Sequence, residues 1–161
     1  MAGETVAYWI LSSLVVLAAA VSTAHGDWVS DSWIHLGAIH EMSRDFWSPV
    51  EPLVGEDVPF PYFSPWTAVG ALGVRLFSVT PFQVLAVFAV VSPLVLVHSL
   101  HRLVRAVSPA PWAPVAVLAA LLTVWGTRAF FWSGFLSLNT LVVGSSWPSV
   151  LATAFWFYLW A

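Results

Sequence analysis

Apolar residues fall in long runs along this chain, and one polar stretch separates the first run from the others. Residues 6–24 (VAYWILSSLVVLAAAVSTA) carry no charge and reach the roughly 20 residues that cross a bilayer core at 1.5 Å rise per residue. Residues 82–104 form a second run, with Pro93 as a predicted kink and His98, His101, Arg102 and Arg105 at its close. Pro109, Pro111 and Pro114 mark a tight turn over 105–111, after which residues 112–126 begin a third run. A fourth, 147–161, stops short of a full span and has no polar flank. Between the last two, residues 127–146 mix Arg128, Asn139, small residues and aromatics, and read as an outer loop or a re-entrant piece. Inside the polar stretch the pattern predicts two short helices, about 30–45 and 65–79. The second is too short to span and would carry Arg75 into lipid, so it is expected at the interface. Pro81 then suits the first turn of the next helix, where its missing N–H costs nothing.

The first run has a competing reading as a cleaved signal peptide. Ser22-Thr23-Ala24 is a passable cleavage site, but residues 1–5 hold Glu4 and no basic residue, which argues for an uncleaved first span. Arg102 and Arg105 place the end of the second run in the cytoplasm under the positive-inside rule. The polar stretch, 25–81, is then outside and the first span starts inside. The expected fold is all-α: polytopic transmembrane helices with a large outer loop containing short interfacial helices. Spans are expected at 6–24, 82–104, 112–126 and 147–161, in a single membrane domain over 1–161 that is expected to be the N-terminal part of a longer protein.

Composition strengthens the membrane reading. The chain is 60% hydrophobic and 8% charged, against about 25% charged in soluble domains. A multi-pass protein of the plasma membrane with its main loop on the outer face is expected. The positive charges are all arginine, the net charge is -3 and no basic run occurs, which excludes nucleic acid as a partner. With no cysteine there is no disulfide framework and no thiolate metal site. The 11 tryptophans suit several membrane–water boundaries.

Candidate chemistry concentrates in residues 25–66. Asp27, Asp31, Glu41, Asp45, Glu51, Glu56 and Asp57 lie there with His25, His35 and His40. Asp27, Asp31 and His35 are spaced four apart and share one face if the segment is helical. A carboxylate there can deprotonate an acceptor hydroxyl, and with the imidazole it can hold a divalent cation bridging a diphosphate. The same spacing equally describes an aspartate that caps a helix. The segment Pro59-Phe60-Pro61-Tyr62-Phe63-Ser64-Pro65-Trp66 is stiffened by its prolines. Its aromatic rings offer flat surfaces to a sugar or an isoprenoid chain, or form an interfacial belt. Arg128 suits a lipid phosphate or a boundary anchor.

The order of these features resembles the GT-C class of membrane glycosyltransferases. The matching pieces read Asp31-Ser-Trp-Ile-His35, Phe46-Trp47-Ser-Pro49, Pro61-Tyr62-Phe63-Ser-Pro65-Trp66, Leu76-Phe77-Ser-Val-Thr-Pro81-Phe82 and His101-Arg102-Leu-Val-Arg105. The Asp-x-x-x-His version with a downstream Tyr-Phe-x-Pro looks closest to the membrane domain labelled "6-pyruvoyl tetrahydropterin synthase-related", and the likeness covers about 6–106. The resemblance implies transfer of a sugar from a polyprenyl-phosphate donor on the outer face. It makes Asp31 the base or metal ligand; the four-residue spacing adds His35 and Asp27 as helpers, and ring and guanidinium chemistry make Tyr62, Phe63, Trp66 and Arg128 the candidate donor-binding residues. A divalent cation (Mg or Mn) is the cofactor it suggests, and a lipid-linked sugar, membrane lipids and partner subunits are the partners. The class often has an Asp-Glu pair or a second acidic loop; here Ser32 follows Asp31 and residues 127–146 hold no carboxylate. The alternative is a non-catalytic membrane subunit, or a transporter component for lipid-linked sugars.

Overall fold

The computed structural model describes residues 2–29, 31–54, 58–124 and 136–161; these are all-helical, with no strand among them. The first helix, α1, is Ala2–His25. Gly26 closes it at φ 80°, where the absence of a Cβ allows the left-handed turn. Helix α2 is Asp31–Arg44 and α3 is Pro65–Phe77. The Ser64 hydroxyl caps α3 by accepting the Thr67 N–H, and Pro65 sits in the first turn, where it forfeits no helical bond. Helix α4, Pro81–Val107, opens with a capping box: Thr80 Oγ1 accepts the Gln83 N–H while Gln83 Oε1 accepts the Thr80 N–H. It runs unbroken through the buried Pro93. Helices α5, α6 and α7 follow at Ala113–Thr123, Leu138–Val143 and Pro148–Trp160.

Two of these, α1 and α4, are long and apolar enough to cross a membrane. At 24 and 27 residues they measure about 36 and 40 Å, against about 30 Å of hydrocarbon. Helices α5 and α7 occupy the third and fourth expected spans but have only 11 and 13 residues, about 17 and 20 Å. Residues 125–135, including Arg128, lie outside the described set, as do Glu56 and Asp57.

The helices pack around α4. Helix α1 lies antiparallel to it, with the Tyr8 hydroxyl near the start of α1 donating to the Val97 carbonyl near the end of α4. Helix α7 makes the most extensive contact with α4 and runs parallel to it, from Leu151 beside the Trp66 cluster to Tyr158 beside Arg102. Three apolar clusters follow one another along α4. Tyr8, Val97, Leu100, Val104 and Leu118 join α1, α4 and α5 at one end. Val15, Leu96, Leu141, Val150 and Ala154 tie in α6 and α7 at mid-length. Ile39, Trp66, Val84 and Leu85 dock α2 and α3 onto the first turns of α4. The contact between α2 and α3 is close at Gly70, where an added Cβ would lie 2.8 Å from Ile39 Cδ1. Residues 136–146 pack on α1, with Ser137, Thr140, Ser145 and Ser146 buried.

Candidate functional site

Asp31 and His35 lie one turn apart on α2, and both are half-buried. The His35 ring meets the Trp66 indole edge-on, with centroids 5.0 Å apart. Burial lowers the His35 pKa from its usual value, and the Asp31 charge opposes that only in part. His35 is therefore a neutral imidazole at pH 7, able to donate from one nitrogen and accept at the other. Asp31 stands in the first turn of α2, where its charge also complements the helix dipole.

Trp66 is the hinge of the site. It is 8% exposed, its other ring neighbour is Phe88 of α4 at 4.9 Å, and its Nε1–H has no hydrogen-bond partner among the described residues. It forms one wall of an apolar groove of about 470 Å³ between α3, α4 and α7, lined also by Val69, Phe88, Leu151 and Phe155. The Trp66 N–H is itself buried, and leaving it unpaired costs about 1–3 kcal/mol.

The other expected residues separate from this centre. Asp27 does not share the α2 face: Gly26 ends α1, the chain turns, and Asp27 is exposed in the connection with Ser22 Oγ donating to its carboxylate at 3.2 Å. A helix continuous from 27 to 35 is thus replaced by a turn and a new helix start. Tyr62 and Phe63 pack with Phe60 at 6.0 Å and Phe46 at 6.4 Å, so their recorded ring partners belong to the proline-rich connection. The Tyr62 backbone still serves the site, because its carbonyl accepts Thr67 Oγ1–H at 2.8 Å and steadies the turn that presents Trp66. Glu41 is half-buried and lies 3.6 Å from Arg44 and 3.9 Å from the exposed His40. Arg128 lies outside the described residues.

Three residues central to this region carry no periodic signal. Trp147 Nε1 donates to Ser32 Oγ at 3.1 Å, both side chains buried, and so pins the start of α2 to the residue that opens α7. Glu51 is 5% exposed, and its Oε2 accepts the backbone N–H groups of Leu53 and Val54. Its charge is spent on closing a turn rather than on a ligand. The Ser-Trp-Pro order at 146–148 could have flagged a helix start, but nothing in it names Ser32 as the partner.

The donor set does not fit a resident divalent cation. No group of three histidine, aspartate or glutamate side chains converges among the described residues. Asp31 supplies one carboxylate and His35 a nitrogen, whereas Mg-type ions take oxygen ligands. No protein-family model, no curated protein sequence and no solved structure matches this chain.

Proposed function

We propose that this chain is a polytopic membrane protein of the glycosyltransferase type, taking a sugar from a polyprenyl-phosphate donor at the outer face. The observation that carries the reading is the Trp66 indole, which meets the Asp31–His35 helix on one side and walls an apolar groove on the other. The volume and apolar lining of the groove suit an isoprenoid tail. Asp31 accepts the proton of an acceptor hydroxyl. That oxygen bonds to the anomeric carbon, and the sugar–phosphate bond breaks with its electron pair leaving on the prenyl phosphate. His35, neutral and seated on Trp66, holds the acceptor in position. In this reading α1 and α4 are spans, α3 lies at the interface with Arg75 exposed, and the loop carrying α2 and α3 faces outward.

A second reading has its own observation. Asp31 in the first turn of α2 stabilises that helix without any chemistry, as expected of a non-catalytic subunit or transporter component for lipid-linked sugars. Asp31→Asn separates the two. Asparagine keeps the polar side chain at the helix start but removes the base, so transfer from a polyprenyl-linked sugar should fall at least a hundredfold, with expression unchanged. Undiminished transfer by the variant would remove the catalytic assignment.

A further inference from the structure

The last turns of α4 carry a second chemical grouping that the proposed transfer does not use. His98, His101, Arg102 and Arg105 recur at the spacing that places residues on one helical face. Rings close this stripe on both sides. Trp9 of α1 lies 6.0 Å from the His98 ring and 5.8 Å from the His101 ring. Tyr158 of α7 lies 6.0 Å from His98 and has the Arg102 guanidinium over its face at 5.8 Å. The result is an exposed basic cluster at one end of three helices, with aromatic flanks. Arg105 also donates weakly to the Ala110 carbonyl at 3.4 Å, which holds it beside the turn into α5. The carboxylate facing this end is Glu4, which interacts with Arg105, and residues 82–161 contain no other acid. Two guanidinium groups against one carboxylate leave positive charge in excess.

We infer that this cluster binds the headgroup phosphate of an anionic phospholipid in the cytoplasmic leaflet. The inference rests on the membrane reading of α1 and α4, not on the transferase reading. Its depth is right: Arg102 lies about 32 Å along the helix axis from Pro81, which is where a hydrocarbon core of about 30 Å ends. Arg102 and Arg105 supply forked donors to phosphate oxygens, and the imidazoles add a donor each. Trp9 and Tyr158 sit as interfacial rings do, with exposed apolar neighbours such as Ile10 and Phe155 left to face acyl chains. Basic clefts between helices on this side of a membrane are the kind of site that takes anionic headgroups.

The test uses the purified chain in mild detergent, with lipid binding counted by native mass spectrometry and thermal stability followed as lipid is added. Phosphatidylglycerol should bind and raise the melting temperature, and phosphatidylcholine should do so far less. Arg102→Gln and Arg105→Gln should each weaken phosphatidylglycerol binding about fivefold, and Arg44→Gln and Arg75→Gln should leave it unchanged. Arg102→Lys guards against misfolding, because it keeps the charge and should retain most of the binding. Equal binding of the two lipids by the unmodified chain overturns the inference, whatever the variants do. So does an equal loss in the Arg44 and Arg75 variants, which marks diffuse attraction, or full competition by inorganic phosphate, which marks a site for the free anion. A chain that stays monodisperse without detergent refutes the membrane reading instead.

Discussion

Removing the Ser32 hydroxyl tests how the candidate site is tied to the helical frame. Ser32 and Trp147 are buried at 1% and 2% exposure and are joined by the Nε1–H to Oγ bond of 3.1 Å across 115 residues of sequence. In Ser32→Ala the indole N–H keeps its burial and loses its acceptor, which costs about 1–3 kcal/mol. Alanine's better helix propensity in α2 returns a few tenths, so a net loss of about 1–2 kcal/mol is expected. Trp147→Phe removes the donor and some packing, and should cost more. The bond itself appears in the coupling: the double variant should be about 1 kcal/mol less destabilised than the sum of the singles. Denaturant unfolding in a fixed detergent, followed by helical circular dichroism, measures all four corners of the cycle. Singles that add to within about 0.3 kcal/mol would show that the two side chains do not hold each other. A second consequence concerns function, since loosening the start of α2 moves Asp31 and His35 relative to Trp66. Under the proposed transferase reading, Ser32→Ala should therefore lower transfer even where most of the protein remains folded.

Two further outcomes follow from particular contacts. The folded pKa of His35 is depressed by burial, so the unfolded chain takes up that proton first as pH falls. Stability is then full above about pH 7, declines as pH drops through the usual histidine value near 6.5, and levels off below the folded pKa; His35→Gln should flatten that slope in a denaturation series. Gly70→Ala puts a methyl 2.8 Å from Ile39 Cδ1, an overpacking cost of about 1–3 kcal/mol against about 1 kcal/mol of helix propensity gained, for a net loss of about 1 kcal/mol. Adding Ile39→Val, which deletes Cδ1 and leaves Cγ1 at 3.0 Å, should reduce the cost of Gly70→Ala, and thermal melts of the single and double variants decide it.

Much of the helical layout is written in short-range chemistry. Thr80-Pro81 with Gln83, Ser64-Pro65 with Thr67, and Gly26 after an apolar run each settle a helix end within four residues, so the starts of α3 and α4 and the stop of α1 can be read directly. The uninterrupted apolar length of α1 and α4 follows from composition for the same reason: it depends on no partner. The shared four-residue spacing of Asp27, Asp31 and His35 failed as a guide because periodicity assumes one continuous helix. Residues 27–29 belong to no helix, so Asp27 never joins the one that carries Asp31 and His35.

What sequence alone determined, then, is several helix ends though not the short α6, which of the helices are apolar enough to cross a membrane, and that acid, imidazole and aromatic groups crowd one connection. Tertiary structure decided which of those groups meet. It set His35 on Trp66, left Asp27 in solvent, turned Glu51 inward onto its own backbone, and brought Trp147 to Ser32. It also gathered Trp9, His98, Arg102 and Tyr158 into one cluster from three helices. The physical reason is range. Caps and periodicity act through bonds spanning three or four residues, whereas a site is assembled by packing between helices far apart in the chain, and the rotation of each helix about its axis is chosen by the fit of its neighbours.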